Sequence, residues 1–313
     1  MNYIPLPDNA ARQVIDSSTV FTEYRRVKAQ AQPYAGTMYW KKEGEYVYLV
    51  KTRPRRRTQE RLGARAERTE QVFAEFTSRK QALESRLKSL REALTDAERM
   101  NKAVKAGRTP NLVLAVLDVL EEAGLSRHFT VVGTHALYAY ESAASVRIIS
   151  GALATQDVDL LWDARRRVEF MTDIEQLNAS VLSVLRRADP TFERKEGQNE
   201  TAINAKGFEV DFLRRQPIED DPHPFRFTAD EGDLWPVQAV RASVLTTAPR
   251  FEHAVISVSG RMALMRTIAP SAFVEFKRWM ADQAPQREEA KRRRDRLQAD
   301  IVQELLDQEL LVP

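Results

Sequence analysis

Apolar and polar positions alternate in short, regular patterns between residues 111 and 213. Phe129 to Val132 is a continuous apolar run typical of a buried strand, while Leu112 to Leu125 repeats its apolar residues at helical spacing. Asp157 to Trp162 and Phe208 to Leu213 have patterns that favour two further strands. Strands and helices that interleave in this way predict an α+β core, a mixed sheet with flanking helices.

The segments on either side of this core have simpler patterns. Thr37 to Lys51 predicts a β-hairpin, because two aromatic and β-branched runs flank a turn that contains Gly44. Glu70 to Val104 predicts a long helical arm with a short heptad stripe, which would permit a homodimer or a partner helix. Arg287 to Leu311 predicts a C-terminal helix. The predicted domains are an N-terminal hairpin and helical arm (1–109), the core (110–265) and a C-terminal helical cap (266–313).

Two aspartates stand in alternate positions at the start of one predicted strand. Successive side chains of a strand point to opposite faces, so Asp157 and Asp159 share a face while Val158 points into the core. Two carboxylates about 7 Å apart on one face repel each other unless a positive charge lies between them. A divalent cation that prefers oxygen ligands, such as Mg²⁺, would supply that charge.

A glycine and a threonine follow the apolar run that ends at Val132. Gly133 permits a close approach of the backbone, and the helix predicted after Thr134 would offer free N–H groups to a phosphate. A Gly-Thr pair at a helix start is by itself more often just a turn; as a functional pair, these two residues would hold the β- and γ-phosphates of a nucleotide. A third carboxylate, Asp211, lies on the other predicted strand, and Glu209 on the same face is interpreted as structural.

These motifs resemble those of the nucleotidyltransferase superfamily, which has the fold of DNA polymerase β. The chain is most similar to a bacterial subfamily of nucleotidyltransferase-fold proteins. The residues that carry the resemblance are Gly133-Thr134, Asp157-x-Asp159 and Asp211, together with the hairpin from Gly36 to Lys51, the run from Val132 to Ala136, and Pro270, Phe273 and Lys277. The resemblance implies a polymerase-β-like core and the Mg²⁺-dependent transfer of a nucleoside monophosphate from a nucleoside triphosphate such as ATP to an acceptor.

The resemblance also assigns roles to single residues. Asp157, Asp159 and Asp211 would bind two Mg²⁺ ions and carry the catalysis. Lys277 would reach the triphosphate, although a surface lysine whose ammonium extends into solvent is an equally good interpretation.

Other charged residues have weaker interpretations. Arg147 and Lys206 are further candidates for phosphate contact, and Asp295 is expected to pair with neighbouring arginines. His135, at the predicted helix start, receives no catalytic role.

Two other enzyme classes use a pair of aspartates spaced in this way. A glycosyltransferase binds the metal of a sugar nucleotide with Asp-x-Asp, and such an enzyme would not need the Gly133-Thr134 pair. A phosphatase motif would directly follow an apolar strand, whereas Ala154 to Gln156 precede this one. A non-catalytic module that binds nucleic acid or a partner protein is a further alternative. The resemblance also raises a role as a toxin or phage-defence effector.

Composition and charge limit which metal sites, cellular locations and binding partners the sequence predicts. Cysteine is absent, which excludes disulfides and Cys-based zinc sites. No apolar run approaches the length of a membrane span, and the first residues do not resemble a secretory signal, so we expect a cytoplasmic protein. The net charge is only +3. Lys51 to Arg68 is nevertheless strongly basic, and it is either a solvated linker or a surface that would bind RNA as the acceptor. Its basic residues are Lys51, Arg53, Arg55, Arg56, Arg57, Arg61, Arg65 and Arg68.

Overall fold

We obtained a computed structural model of the chain, which describes residues 2–53, 58–217, 225–239, 241–284 and 287–311. The chain divides into two compact units. We call Met1–Val14 together with Asn101–Pro313 the core unit, and Ile15–Met100 the arm unit. The boundaries predicted from the sequence, after residues 109 and 265, stay a prediction.

The described residues form ten α-helices and thirteen strands. The helices are α1 (Asp8–Ala31), α2 (Glu67–Ala103), α3 (Asn111–Ala123), α4 (Leu137–Ala143), α5 (Ser150–Leu153), α6 (Arg167–Leu177), α7 (Val181–Leu185), α8 (Ala242–Thr247), α9 (Pro270–Asp282) and α10 (Glu289–Asp307). The strands are β1 (Tyr3–Pro5), β2 (Met38–Glu43), β3 (Tyr46–Arg53), β4 (Thr58–Ala64), β5 (Phe129–Val132), β6 (Val146–Ile148), β7 (Asp157–Trp162), β8 (Glu193–Arg194), β9 (Thr201–Ile203), β10 (Glu209–Arg214), β11 (Val237–Gln238), β12 (Arg250–Ile256) and β13 (Met262–Ile268). This mixture of helices and sheets confirms the predicted α+β class.

The main sheet of the core unit has the strand order β5-β7-β10-β9-β8, with β11 on β10. Strands β7 and β10 are parallel, and their register pairs Asp159 with Asp211. Strand β5 runs antiparallel to β7, so its last residue, Val132, lies opposite Asp159. Three segments that are distant in sequence therefore meet beside one carboxylate.

One face of this sheet is packed with aromatic and aliphatic side chains. Val158, Leu160, Val210 and Phe212 are almost completely buried, and they alternate with the aspartates along β7 and β10. Full burial of a side chain of this size contributes about 1.5–3 kcal/mol, so this face fixes the register of both strands. A shift of one residue would exchange the aspartates with the core residues.

The last two helices belong to the same hydrophobic core. Phe273 and Val274 of α9, and Ile301 and Leu305 of α10, are buried in the cluster that also contains the sheet residues. The Tyr140 hydroxyl donates a hydrogen bond to the Ile268 carbonyl oxygen at 2.7 Å, immediately before α9. The predicted C-terminal helix is thus present as α10, α9 precedes it, and the apolar faces of both are fixed by the core.

The arm unit contains a three-stranded sheet, β2-β3-β4, and most of the length of α1 and α2. The predicted hairpin is β2 with β3, and the predicted long helix is α2. Trp40 of β2 lies 5.8 Å from Phe73 of α2, measured between ring centroids. Leu87 and Leu90, in the heptad stripe, are buried against Val27 of α1. The stripe therefore packs within its own unit.

Strand β4 falls in the basic stretch, where the sequence predicts either a solvated linker or an RNA-binding surface and no strand. Six of its seven residues are exposed, so its sequence has no apolar alternation that could mark a strand. Backbone pairing with β3 forms it instead. Arg55, Arg56 and Arg57, which belong to the predicted RNA-binding stretch, lie outside the described residues.

Among the described residues, no helix combines the length and the apolar composition that crossing a membrane requires.

Candidate active site

Three carboxylates meet on the open face of the main sheet. Asp157 and Asp159 project from β7 and Asp211 from β10, and each is half-buried. One oxygen of each carboxylate lies within 4.8 Å of the others, so a single cation could contact all three. Within the part of the chain that the structure describes, this is the one acidic or histidine cluster with such spacing. The structure thus brings together the three aspartates that the sequence singled out.

The cluster is electrostatically unfavourable by itself. Burial, followed by the charges of Asp157 and Asp211, raises the pKa of Asp159 to about 7. Burial also raises the pKa of Asp211, although a hydrogen bond from Thr201 opposes that shift. Like charges in a partly desolvated site take up a proton or a cation, and three carboxylate oxygens are the ligand type that Mg²⁺ prefers.

Threonine hydroxyl groups orient the two outer carboxylates. Thr201 Oγ1 donates to Asp211 Oδ1 at 2.6 Å, and Thr155 Oγ1 donates to Asp157 Oδ1. Thr201 is buried, so its hydroxyl has a fixed partner. In both cases the second oxygen of the carboxylate remains for another ligand.

Gly133 is required by the position of Asp159. Its φ of +70° lies in the left-handed region that favours glycine. A Cβ atom at this position would lie 2.1 Å from Asp159 Oδ2, which no side chain could accommodate without displacing the carboxylate. The turn after β5 and the central aspartate are therefore in van der Waals contact.

A 3₁₀ turn spans Gly133–Ala136, and α4 begins after it at Leu137. The predicted helix thus starts one turn later than the sequence indicated. The Thr134 hydroxyl is nearly buried and accepts a hydrogen bond from Gln298 Nε2 at 3.1 Å. Gln298 of α10 also donates to the Ala152 carbonyl oxygen at 2.6 Å, which ties this turn to the C-terminal helix.

Lys277 is not a surface lysine, and that interpretation was wrong. Only 4% of the residue is exposed, and its Nζ lies 2.8 Å from Asp295 Oδ1. Arg287 Nη2 lies 2.7 Å from Asp295 Oδ2, so one buried carboxylate pairs with two cations. The prediction that Asp295 pairs with a neighbouring arginine is confirmed, and Lys277 is the additional partner. Burial lowers the pKa of Lys277, and the charges of Asp295 and Asp159 oppose that shift.

The remaining sequence candidates lie away from the cluster or have structural partners. Arg147 pairs with Glu141 at 3.1 Å, and Lys206 is in the turn between β9 and β10. Glu209 pairs with Lys195 at 2.7 Å, as expected of a structural residue.

His135 is buried beside Phe208, with 6.2 Å between ring centroids. Burial lowers the pKa of His135 to about 4, so its ring is neutral near pH 7.

A cavity of about 550 Å³ includes Asp157, Asp159, Gly133 and Thr134 in its lining. This volume is within the range of pockets that bind one small ligand. The cavity is also lined by basic and apolar side chains, and of these the sequence assigned only Lys277 to the site. The basic side chains are Lys277, Arg287, Lys291 and Arg294, and the large apolar ones include Leu161, Leu213, Leu245, Phe276, Trp279 and Met280.

The basic start of α10 was visible in the sequence, but its position beside the carboxylates was not. Arg294 Nη1 donates to the Ala154 carbonyl oxygen at 2.8 Å, three residues before Asp157. A site with three carboxylates, several cations and an apolar side has the groups needed to bind a cation and a phosphorylated organic molecule together.

The comparisons with known proteins agree with this chemistry. A family model described as nucleotidyltransferase matches residues 111–313, which include every residue that lines the cavity. No curated protein and no solved structure matches the chain.

Proposed function

The chain belongs to this nucleotidyltransferase family and is a nucleotidyltransferase, and we propose that it uses Mg²⁺ to transfer a nucleoside monophosphate from a nucleoside triphosphate. The observation that carries the proposal is the spacing of Asp157, Asp159 and Asp211, with one oxygen of each within 4.8 Å of the others. Family membership favours this reaction over the glycosyltransferase and the non-catalytic alternatives.

The residues present fit a divalent cation. Burial and the charges of Asp157 and Asp211 raise the pKa of Asp159, and among the described residues the structure gives its carboxylate no hydrogen-bond donor. Asp157, Asp159 and Asp211 would hold two Mg²⁺ ions. Bound there, Mg²⁺ would lower the pKa of the acceptor hydroxyl and neutralise charge on the transferred phosphate.

The side chains around the carboxylates would bind and orient the nucleotide. The Gly133 backbone and the Thr134 hydroxyl, whose proton is not used by Gln298, would hold the β- and γ-phosphates. Lys277 and Arg287 would add positive charge beside the triphosphate.

In the proposed reaction the acceptor oxygen forms a bond to the α-phosphorus. The bond between that phosphorus and the oxygen that bridges the α- and β-phosphates breaks. Pyrophosphate leaves with the bonding electrons. The Asp211 oxygen that Thr201 does not occupy would take the proton of the acceptor hydroxyl.

The acceptor stays open among RNA, a protein side chain and a small molecule, and a toxin or defence role stays a prediction. The basic stretch from Lys51 to Arg68 is the reason to place RNA first. Several of its charges already have partners, because Arg61 pairs with Glu43 and Arg65 pairs with Glu70 at 2.8 Å. RNA binding there would have to compete with these ion pairs.

Each α-³²P-labelled nucleoside triphosphate, incubated with the protein, Mg²⁺ and total cellular RNA or protein, tests the reaction. We expect label to appear in one acceptor class. The Asp157→Ala/Asp159→Ala double variant should transfer none.

Glu209→Gln is the matched control, because Glu209 lies on the same face of β10 as Asp211 but pairs with Lys195. It should retain transfer. Equal transfer by the double variant and the wild type would contradict the assigned site. Absence of both transfer and Mg²⁺-dependent triphosphate binding would contradict the proposed function.

A further inference from the structure

The floor of the cavity changes from charged to apolar along β7 and β10. Asp157, Asp159 and Leu161 are alternate residues of β7 and share one face. Leu213 follows Asp211 on β10 in the same way and pairs with Leu161 in the parallel register. Alternate residues of a strand are about 7 Å apart, so an aliphatic surface begins one such step from the central aspartate.

Helix α9 places a second apolar surface along this end of the cavity. Phe276, Trp279 and Met280 are three and four residues apart, so they lie on one face of the helix. All three line the cavity and are only half-buried, although the helix residues Phe273 and Val274 are packed in the core. An open aromatic and aliphatic surface inside a concave site is typical of a place where an apolar part of a ligand binds.

The indole of Trp279 is held by its neighbours. The Arg241 guanidinium lies 5.1 Å from the indole centroid, over one face of the ring. The Phe276 ring lies 6.3 Å away at an interplanar angle of 29°. A side chain fixed by a cation and an aromatic ring loses little further freedom when a planar ligand packs against it.

The opposite end of the cavity is suited to phosphate groups. Arg294 is anchored at Ala154, on the side of Asp157 that is away from Leu161. Lys291 lies on the same helix, one turn before Asp295, and also lines the cavity, where its Nζ lies 3.4 Å from Glu288, another residue of the lining. Arg294 and the apolar residue Leu161 therefore lie on opposite sides of Asp157 and Asp159 along β7, whereas Lys277 follows Phe276 on α9 and Arg241 lies over Trp279.

We propose that the apolar end binds the base of the nucleoside triphosphate and that Trp279 is the surface on which the base stacks. The inference rests on the proposed function and adds the orientation of the substrate, with the triphosphate toward α10 and the base toward Leu161 and Leu213. The apolar side chains described above have no hydrogen-bonding group apart from the Trp279 indole N–H. Stacking, which every base allows, is therefore the interaction that holds the base.

Calorimetric titration in Mg²⁺ tests this orientation with two probes, a non-hydrolysable α,β-methylene analogue of ATP and inorganic tripolyphosphate. The analogue has a base and the tripolyphosphate has none. Trp279→Ala should weaken binding of the analogue by roughly 5- to 150-fold. Its affinity for tripolyphosphate should stay within about twofold of the wild type, because the phosphate contacts are unchanged. The matched control is Glu275→Ala, an exposed position of α9 outside the cavity lining, which should change neither affinity.

A second measurement does not depend on the folding of the alanine variant. The chain has four tryptophans, and stacking on one of them should quench part of the intrinsic fluorescence when the ATP analogue binds. Trp279→Phe keeps an aromatic ring, so it should retain most of the affinity and lose the quenching.

The outcomes are separable. Unchanged binding of the analogue by Trp279→Ala, or quenching that persists in Trp279→Phe, would overturn the base site. So would an equal loss for both probes, since that is the result of a general disruption of the site or of an apolar end that takes part of the acceptor. If neither probe binds to the wild type in Mg²⁺, it is the proposed function that fails.

Discussion

Two groups of buried carboxylates in the core unit have opposite surroundings. Asp295 has no exposed surface, and it contacts Lys277 at 2.8 Å and Arg287 at 2.7 Å. Asp159 is half-buried, and burial together with the charges of Asp157 and Asp211 raises its pKa. Asp295 contacts its two counter-charges directly, whereas Asp159 forms no ion pair with any of the described residues.

The difference separates a structural carboxylate from a functional one. Removal of one member of a buried ion pair leaves an uncompensated charge and destabilises the fold. The contribution of its ion pairs to stability is therefore enough to explain a fully paired carboxylate such as Asp295. A cluster of unpaired carboxylates lowers stability and is retained where a ligand supplies the missing charge. Lys277 and Arg287 connect the two groups, because each pairs with Asp295 and also acts electrostatically on Asp159.

The largest effect expected from this comparison is on activity. Asp159→Asn keeps the shape of the side chain and removes its charge, so we expect nucleotidyl transfer to fall about a thousandfold. The free energy of unfolding at pH 8 without Mg²⁺ should rise by about 2 kcal/mol, because the repulsion is relieved in a partly exposed site. Transfer rates and denaturant titrations measure the two effects. A variant that is inactive and also destabilised would contradict the comparison.

The opposite outcome is expected for the paired carboxylate. Asp295→Asn leaves Lys277 and Arg287 without their counter-charge, so the free energy of unfolding should fall by about 3 kcal/mol. Asp300→Asn, at an exposed position of the same helix, should be neutral. Urea titration of both variants measures the difference. Equal stability of the two would mean that the pairing of Asp295 contributes nothing.

A smaller effect is expected from the threonine that orients the third carboxylate. Thr201→Val removes the hydroxyl that donates to Asp211 at 2.6 Å while keeping the side-chain shape. We expect Mg²⁺ affinity to fall about 10- to 30-fold, a common result when an outer partner of a metal ligand is lost. Thr201→Ser keeps the donor and should bind Mg²⁺ nearly as well as the wild type. Calorimetric titration measures the Mg²⁺ affinity of both variants. Equal affinities of Thr201→Val and Thr201→Ser would mean that the hydroxyl has no role.

The smallest effect expected is the pH dependence of the unpaired cluster. The pKa of Asp159 is about 7 in the folded protein against an ordinary value of 3.8, so the folded chain holds this proton more tightly than the unfolded chain. Its contribution to stability is therefore complete below about pH 4 and is lost as the pH rises to about 7. Mg²⁺ competes with the same proton.

Mg²⁺ affinity should consequently increase about tenfold between pH 6 and pH 8 and level off above that. The shift of the melting temperature caused by Mg²⁺, measured across this range, reports the change. Asp159→Asn should abolish the pH dependence. If the shift of the melting temperature caused by Mg²⁺ were independent of pH in the wild type, protonation of Asp159 would not compete with Mg²⁺ binding.

The carboxylate cluster was predictable because its signals are local. The alternation of a strand assigns Asp157 and Asp159 to one face, and Gly133 marks a close approach of the backbone. Strand β4 was not predictable, because an exposed strand has no apolar alternation. Helix α8 and strand β1 are likewise too short for a periodic pattern to identify.

The state of Lys277 could not be predicted, since its burial depends on α10, whose Asp295 is 18 residues away in sequence. The role proposed for Trp279 has the same origin. In the sequence of α9, Trp279 is one apolar residue among several. Only the packing of α9 against the sheet places Trp279 in the cavity beside Leu161.

The sequence by itself determined the α+β class, the hairpin and long helix of the arm unit, the three carboxylates and the glycine beside them. Each of these depends on a period of two or of 3.6 residues, or on the backbone freedom of glycine, and such properties are written in neighbouring positions. The tertiary structure alone decided which cations pair with Asp295, which side chains line the cavity and where its charged side ends. Those outcomes depend on contacts between residues far apart in the chain, where burial sets the strength of every charge.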